Sequence, residues 1–409
     1  MENQEKKYNI LYINDNSALF GAERCLINII ENLDRTKFAP FVLLPNEGLL
    51  EKKLKEMRIE PAILNFRFKA TKTNPIIFIN LITGFIRLVK EKKIDLIHIN
   101  LYHHSANFWL AFSLLKLPII IHVRGKEWID FFQKLVMFRY AKKILFISEY
   151  AKEEFFKKRR SDFLFKINKN RLDVIYDGID VNRFTPKDDS RYLREEFKVK
   201  NDETLIGLIG AINSNKGQDI LIEAAKDVLK KYPKVKFLIV GDPYLNEPER
   251  LAYKSEIINR IATYGLKDNV LVSGFRDDIP EVMNAIDILV QPSKYEGLGI
   301  SMIEAMACKK PVIGTNVGGI PEVICDNKAG ILLKERTPRE LAEAIIFLLA
   351  HPEDAMKKGT NGRQIAVDKF NIERNIKRIE EIYFEEIAKS DRYLKSDSLN
   401  YKKEQYAKN

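Results

Sequence analysis

The chain has 409 residues, of which 45% are hydrophobic, 31% charged and 10% aromatic. This composition excludes a wholly disordered chain, and at about 100–200 residues per domain the length predicts two domains. Its three cysteines include no CxxC pair, which excludes a disulfide framework and predicts a reduced, intracellular protein. Neither a signal peptide nor an apolar run near the roughly 20 residues of a membrane-spanning helix is recognisable.

The net charge of +11 falls entirely in the first half of the chain. Residues 1–200 carry 37 Lys and Arg against 25 Asp and Glu, whereas residues 201–409 carry 31 against 32. Such an excess favours an anionic partner, namely nucleic acid, an acidic lipid surface or a phosphorylated substrate. A charge that serves solubility alone is the alternative.

The first half alternates short apolar strands with longer amphipathic segments, a pattern that predicts parallel βαβ units. Between residues 180 and 202 the chain turns polar, so we predict a first domain over 1–180 and a linker over 181–203. Predicted strands are Asn9–Asn14, Phe41–Leu44, Leu96–Asn100, Ile119–Val123, Ile144–Ile147 and Val174–Tyr176. Helix-length segments lie between most of them, and examples are Glu23–Leu33, Ile76–Val89 and Ser105–Leu115.

The second half restarts the alternation and predicts a second domain over 204–370, followed by a C-terminal helix and polar tail over 371–409. The fold class is therefore α/β, with two Rossmann-like domains facing a central cleft, where ligands usually bind. Predicted strands are Leu205–Ile209, Lys236–Val240, Val270–Val272, Ile288–Val290 and Val312–Ile313; predicted helices are Lys216–Lys230, Glu249–Thr263, Ile300–Ala307 and a final pair, Pro338–Leu349 and Glu373–Ile387.

Several common signatures are missing. No G-x-G-x-x-G follows the first strand, and the stretch from Gly210 to Gly217 lacks the Gly-Lys-Ser/Thr order of a P-loop. His98, His103 and His104 lack the spacing of metal ligands, so we predict no metal site.

The most informative stretch runs from Ser293 to Ala307, after a buried strand and into a helix that opens near Gly299. Unpaired backbone N–H groups at such a helix start suit a diphosphate. Glu296 precedes the helix and Glu304 lies just over one turn inside it, so both can accept hydrogen bonds from sugar or ribose hydroxyls at one opening. Two glutamates on a solvated helix end are the alternative.

The run EGLGISMIEAMACKKPVIGTNVGGIPEVI resembles the donor-site signature of retaining nucleotide-sugar glycosyltransferases of family 4, which have the two-domain GT-B fold. The similarity covers about residues 8 to 388. It includes FGAERCLINII, IIIHVRG, LFISEYAKEEF, VIYDGIDVNRF, IGLIGAINSNKGQDILIEA and VSGFRDDIPEVMNAIDILVQPS. The resemblance also implies C-terminal helices that pack back towards the first domain.

The resemblance implies three catalytic residues. Lys216 would neutralise the leaving diphosphate, Glu296 would bind the transferred sugar, and His122 would sit at the reacting sugar. The other implied donor-binding residues are Glu304 at the ribose, the backbone of Leu298, Gly299 and Ile300 at the diphosphate and sugar, Gly21 in the first-domain loop, and Phe275 and Arg276 near the nucleobase.

Two positions depart from the family pattern. The family usually has Arg directly after the glycine at Gly210, where this chain has Ala211, so one phosphate cation is missing. The family's double glycine in the first loop is here Phe20-Gly21. An inactive or merely sugar-nucleotide-binding paralogue on the same scaffold is therefore the alternative to an active enzyme.

The resemblance implies transfer of a sugar, with retained anomeric configuration, from a UDP- or GDP-sugar to a hydroxyl acceptor. We expect this reaction to serve cell-surface polysaccharide or glycolipid assembly, where the acceptor can be lipid-linked. No cofactor, metal or nucleic acid is expected to take part. We expect a cytoplasmic protein, peripheral on the inner face of the membrane. The basis is the apolar segment Ile76–Val89, flanked by Arg67, Lys69, Lys72, Arg87, Lys90, Lys92 and Lys93, and the run Phe155-Phe156-Lys157-Lys158-Arg159-Arg160.

Overall fold

In the computed structural model, the described residues are 6–19, 21–67, 74–125, 130–157, 168–187, 191–243 and 248–406, with side chains except at 191 and 391–406. The chain forms two compact units. The first comprises Met1–Tyr176 with Ile372–Asn409, and the second comprises Asp177–Asn371. Each contains one parallel sheet covered by helices, so the prediction of two Rossmann-like α/β domains is confirmed.

The first unit is built on a seven-stranded parallel sheet with the order β3-β2-β1-β4-β5-β6-β7. Its central strands are rich in aliphatic residues because helices cover both faces; every residue of Ile119–Val123, including His122, is buried. The strands are β1 Tyr8–Ile13, β2 Phe38–Leu44, β3 Ala62–Ile63, β4 Leu96–Ile99, β5 Ile119–Val123, β6 Ala141–Phe146 and β7 Leu172–Val174.

The first unit also holds the C-terminal helix, as predicted. Ile372, Ile376, Ile379, Tyr383 and Ile387 recur at helical spacing and pack into the core beneath the sheet. The helix continues to Tyr406, through the segment predicted as a polar tail, since its Lys, Glu and Arg residues are good helix formers. The helices are α1 Gly21–Asn32, α2 Leu49–Glu56, α3 Pro75–Glu91, α4 Trp109–Leu115, α5 Phe131–Tyr140, α6 Glu149–Lys157 and α15 Ile372–Tyr406.

The second unit has a six-stranded parallel sheet with the order β10-β9-β8-β11-β12-β13. The strands are β8 Thr204–Ile209, β9 Val235–Val240, β10 Val270–Gly274, β11 Ile288–Gln291, β12 Val312–Thr315 and β13 Gly330–Leu333. The helices are α7 Arg191–Glu196, α8 Gln218–Lys231, α9 Pro248–Thr263, α10 Ile279–Ala285, α11 Ile300–Ala307, α12 Ile320–Ile324, α13 Pro338–Ala350 and α14 Pro352–Phe370.

Residues 181–203, predicted as a linker, lie within the second unit. Leu193 of α7 is fully buried, and the Arg194 guanidinium donates to the carbonyl of Ala285 at 3.0 Å and pairs with Asp287 at 3.2 Å. The polar Arg194 thus makes contacts within the second unit, and the first unit ends at Tyr176.

Two helical segments differ from the sequence prediction. The helix predicted over Ser105–Leu115 begins as a 3₁₀ helix, His104–Phe108, and continues as α4. The predicted final helix pair is separated by a third helix, α14, which was not predicted from the sequence. Across the described helices, none has both the length and the apolarity that crossing a bilayer requires.

Candidate active site

The candidate site of the second unit lies where its strand order reverses. Strands β8 and β11 are neighbours, and the helices that follow them, α8 and α11, begin at the same edge of the sheet. In doubly wound sheets, ligands bind outside the carboxyl ends of the strands at this reversal. The loops that end at Lys216 and Glu296 therefore meet where a ligand is expected.

Lys216 and Glu296 form an ion pair at this edge. The Lys216 Nζ lies 2.6 Å from the Glu296 Oε2, and both side chains are mostly buried. The same oxygen accepts hydrogen bonds from the Gln291 amide at 2.9 Å and from the Ser293 hydroxyl at 3.4 Å. Two predicted catalytic side chains are thus brought into direct contact, although 80 residues separate them.

Asn215 fastens the two loops to each other. Its amide donates to the carbonyl of Tyr295 at 2.9 Å, and its Oδ1 accepts from the Tyr295 backbone N–H at 3.0 Å. The Asn215 carbonyl also accepts from the N–H of Lys294 at 2.7 Å. These bonds join the two loops at the residues next to Lys216 and Glu296, so the backbone brings the two side chains together.

The start of α11 has the geometry of an anion site. Gly299 is the N-cap residue with a φ of +98°, a left-handed conformation that glycine adopts without strain. Leu298 is buried. The N–H groups of Ile300 and Ser301 precede the first intrahelical hydrogen bond, which Met302 donates to the Gly299 carbonyl at 3.0 Å, and they carry the partial positive charge of the helix start. Glu304 lies half-buried one turn further along the same helix.

The second glycine-rich turn, which contains Gly318 and Gly319, packs against the backbone of Glu296. A Cβ atom on Gly318 would lie 1.7 Å from the Glu296 carbonyl oxygen, and the Gly319 N–H donates to that oxygen at 3.0 Å. These glycines therefore allow close backbone packing under the ion pair. Their pairing in the sequence, Gly318-Gly319, signals such a close approach.

The predicted nucleobase-side residues have different surroundings. Phe275 is 57% exposed at the end of β10, and its backbone N–H donates to Asp242 at 2.7 Å. Arg276 is paired with Asp278 at 2.6 Å and with Glu196 at 2.5 Å, and these hydrogen bonds hold the pKa of the guanidinium above its usual value. Its charge is therefore committed to two carboxylates within the second unit.

The remaining predicted residues, Gly21 and His122, lie in the first unit. Gly21 is the first residue of α1, and a Cβ atom there would meet nothing within 4 Å. His122 is buried on β5, where its ring stacks on that of His98 at 5.6 Å and its Nδ1 lies 3.5 Å from the Arg124 guanidinium. Burial, then Arg124 and His98, lower the pKa of His122 well below its usual value.

A neutral His122 facing the Arg124 donor must accept at Nδ1, so its proton is on Nε2. Arg124 is held in turn by Asn100, whose Oδ1 accepts from the guanidinium at 2.8 Å, and Asn100 donates to Asn14 at 2.7 Å. This buried polar row crosses the carboxyl ends of β5, β4 and β1, and its asparagines were not among the site residues predicted from the sequence.

Asp15 lies next to this row, two residues after β1. Its Oδ2 accepts from the backbone N–H groups of His103 at 2.7 Å and His104 at 2.5 Å. Burial raises the pKa of Asp15 to about 7, and the hydrogen bonds from His104, His103 and Ser105 partly oppose that rise. In the part of the chain that the structure describes, no three His, Cys, Asp or Glu side chains are grouped to hold a metal ion.

Family comparisons agree with this two-unit architecture. The glycosyl transferases group 1 family matches residues 189–365, and Glycosyltransferase Family 4 matches residues 21–183. Together, the two matches show a glycosyltransferase of family 4 type. A glycosyltransferase of Methanocaldococcus jannaschii of uncharacterised function is 29% identical over 311 residues, covering 73% of this chain and 77% of that protein.

Other curated relatives are matched over a smaller part of their length. The D-inositol 3-phosphate glycosyltransferase of Mycobacteroides abscessus is 33% identical over 203 residues, 48% of this chain and 42% of that enzyme. The lipopolysaccharide core biosynthesis mannosyltransferase LpsB of Rhizobium meliloti is 26% identical over 51% of this chain and 60% of that enzyme. The chain thus spans less than two thirds of both enzymes.

Solved structures establish the fold of this glycosyltransferase as GT-B. A glycosyltransferase from Rickettsia africae superposes with a TM-score of 0.81 at 22% identity, over 93% of this chain and 99% of that one. HepE from Anabaena, solved in complex with UDP-glucose, has a TM-score of 0.76 at 25% identity, over 91% of this chain and 98% of that one. The GT-B fold and the glycosyltransferase class expected from the sequence are confirmed.

Proposed function

We propose that this glycosyltransferase moves a sugar, with retained anomeric configuration, from a UDP- or GDP-sugar to a hydroxyl acceptor in cell-surface polysaccharide or glycolipid assembly. The observation that carries the proposal is the Lys216–Glu296 pair beside the start of α11. It joins a cation for a diphosphate to a carboxylate for sugar hydroxyls. The complex of HepE with UDP-glucose and the name of the relative LpsB support the donor and the pathway class.

The proposed reaction requires the site to stabilise the negative charge that develops on the departing diphosphate. The bond between the anomeric carbon and the diphosphate oxygen breaks, the acceptor oxygen bonds that carbon on the same face, and the acceptor proton passes to the leaving phosphate. Lys216 and the N–H groups at the start of α11 supply positive charge where it develops. We propose that this suffices without a divalent metal.

A mass-spectrometric screen of the purified protein against UDP-, GDP- and ADP-sugars tests the function. We expect transfer or slow hydrolysis with one UDP- or GDP-sugar, a product whose anomeric configuration by NMR matches the donor, and unchanged rates in EDTA. Loss of activity in EDTA that Mg²⁺ or Mn²⁺ restores would contradict metal independence. Donor binding without turnover would favour the alternative, a non-catalytic paralogue, whose basis in the sequence is Ala211 at the family's arginine position.

We also propose that the first unit attaches to an anionic membrane and takes a lipid-linked acceptor there. Helices α3 and α5 both pack against the 3₁₀ helix, and both begin after the carboxyl end of a strand. The first five residues of each helix include exposed large apolar side chains, which a lipid surface would bury: Ile76, Ile77 and Ile79 on α3, and Phe131, Phe132 and Leu135 on α5.

The basic residues of α3 share this exposed face. Ile76, Thr83, Arg87 and Lys90 recur at helical spacing and are all exposed. The second membrane contact predicted from the sequence, the run from Phe155 to Arg160, is wrong in part. The ring of Phe155 is buried and packs on Phe146, with 5.4 Å between the ring centroids. Lys69, Lys72, Lys158, Arg159 and Arg160 lie outside the described residues.

A further inference from the structure

The hydrogen bonds of Glu296 are divided unequally between its two carboxylate oxygens. Oε2 accepts from Lys216, Gln291 and Ser293, at 2.6, 2.9 and 3.4 Å. Among the described residues, none donates a side-chain hydrogen bond to Oε1. A carboxylate held by one oxygen presents the other in a fixed direction, which is what recognition of a substrate hydroxyl requires.

Gln291 donates a hydrogen bond to Glu296, and its own side chain is held by another residue. It is the last residue of β11, buried to 3% exposure, and its Oε1 accepts from the Ser301 hydroxyl of α11 at 2.5 Å. A carboxylate oxygen can only accept, so the amide nitrogen must face Glu296 and the amide oxygen must face Ser301. The side chain is therefore fixed in one orientation by partners at both ends.

Lys216 differs from Gln291 in what else it can bind. Its ammonium group has three N–H donors on a flexible stem, and an arriving diphosphate would compete with Glu296 for them. The amide of Gln291 is neutral and already committed, so a diphosphate would not attract it. Lys216 and Gln291 both donate close hydrogen bonds to Oε2. The bond from Gln291 is the one that should persist when the nucleotide-sugar binds.

We propose that Gln291 is a positioning residue of the donor site, which holds Glu296 with Oε1 directed at the hydroxyls of the transferred sugar. This inference rests on the proposed function, because it takes Glu296 to bind the sugar. Ser301 sets the orientation of Gln291 and thereby links Glu296 to the helix whose first turn would receive the diphosphate.

The test compares Gln291→Met, which keeps the side-chain length and removes the hydrogen bonds, with Gln364→Met as the matched control. Gln364 also donates to a carboxylate, that of Asp368 at 2.8 Å, but it is exposed on α14. For Gln291→Met we expect kcat and the affinity for the UDP- or GDP-sugar to fall about ten- to a hundred-fold, because a hydrogen bond to a charged group is lost. Affinity for the free nucleoside diphosphate, measured by calorimetry, should change much less than affinity for the sugar nucleotide, since the proposal assigns Glu296 Oε1 to the sugar and not to the diphosphate.

Two further variants separate positioning from general stability. Gln291→Glu places a second carboxyl beside Glu296, so the acidic limb of the pH–kcat profile should move upward by about one pH unit or more. Ser301→Ala removes the hydroxyl that donates to the Gln291 amide oxygen, and it should lower kcat by a smaller factor, about two- to ten-fold.

Kinetics of Gln291→Met equal to those of Gln364→Met would overturn the proposal, as would equal losses of affinity for the sugar nucleotide and the free nucleotide. An unshifted pH profile in Gln291→Glu would also count against it. A wild-type protein that binds sugar nucleotides without transferring them would contradict the proposed function instead, and the comparison of the two affinities would still decide the role of Gln291.

Discussion

The ammonium group of Lys216 lies 2.6 Å from Glu296, and its charge is the one that the proposed reaction needs most at the leaving group. Replacement by Ala should therefore lower kcat more than it raises the donor KM, by about 10²–10³-fold if Lys216 acts as one preorganised stabiliser of transition-state charge. Steady-state kinetics of Lys216→Ala measure both terms. Lys294→Ala, an exposed lysine in the facing loop, is the control. A change confined to KM would assign Lys216 to ordinary substrate binding.

Asp15 should make the stability of the protein depend on pH in an unusual direction. Its pKa is about 7 when folded and near 3.8 otherwise, so the folded state binds more protons between those values. The free energy of unfolding should therefore fall as pH rises from 4 to 7, by up to about 1.4 kcal/mol per pH unit, and level off above 7. Asp15→Asn cannot ionise, so the difference from the wild type isolates this slope.

Asp34→Asn provides the control of opposite sign. Hydrogen bonds from Thr36 and Lys37 lower the pKa of Asp34 to about 2, so its contribution is lost only below about pH 4. Denaturation between pH 5 and 8 should show a changing difference for Asp15→Asn and a constant one for Asp34→Asn. Parallel curves for the wild type and Asp15→Asn would contradict the assignment of this slope to Asp15.

For single residues, the sequence predicts which side chains belong to the site better than it predicts which side chains contact them. Glu296 and Lys216 stand out because each lies in a motif next to a strand and a helix start, and the fold brings them together. Gln291 and Ser301 do not stand out, because a glutamine ending a strand and a serine in a first turn are common. Their importance arises from a distance of 2.5 Å that only the tertiary structure sets.

Elements were predicted best where local pattern and tertiary environment agree. Ile119–Val123 and Ile300–Ala307 begin and end where predicted, because a buried β-branched run and a glycine-capped amphipathic segment are unambiguous. Helix α14 was missed because Gly359 and Gly362 disfavour a helix in isolation. A Cβ atom on Gly359 would lie 2.1 Å from the Lys309 carbonyl oxygen, so the glycine is needed for close packing after α11.

Helix α15 contributes one buried hydroxyl to the centre of the first unit. The Tyr383 hydroxyl lies 2.5 Å from the His98 Nδ1 and 3.1 Å from the Tyr12 hydroxyl. Tyr383→Phe keeps the ring but leaves buried polar atoms without this partner, so it should lower the free energy of unfolding by about 1–3 kcal/mol. Tyr8→Phe removes a hydroxyl from a half-buried ring that packs on Phe384 of the same helix, and it should cost much less.

Urea denaturation followed by far-UV circular dichroism measures both tyrosine variants. Equal stability of Tyr383→Phe and Tyr8→Phe would mean that α15 is held by its apolar stripe alone, without a contribution from the hydroxyl contacts. The comparison thus separates the hydrogen bonds of α15 from the packing of its isoleucines.

For the whole molecule, the division of charge follows the division into units. The excess of basic residues lies before residue 200, and the exposed apolar helix starts Pro75–Ile79 and Phe131–Leu135 lie in the first unit. A cation near an acidic lipid surface contributes about 1 kcal/mol, and an isoleucine transferred from water into an apolar environment contributes about 1.5–3 kcal/mol. Neither term alone gives stable attachment, but a few of each on one surface do.

Co-sedimentation with liposomes tests this attachment directly. Binding should require anionic lipid, weaken at high salt, and fall at least about ten-fold when Ile76 and Ile79 are replaced by Ser, since about 1.4 kcal/mol corresponds to one factor of ten. Ile258→Ser removes a similarly exposed isoleucine from α9 of the second unit and should leave binding unchanged. Equal binding to neutral vesicles, or none to acidic vesicles at low salt, would contradict membrane attachment and favour a soluble acceptor.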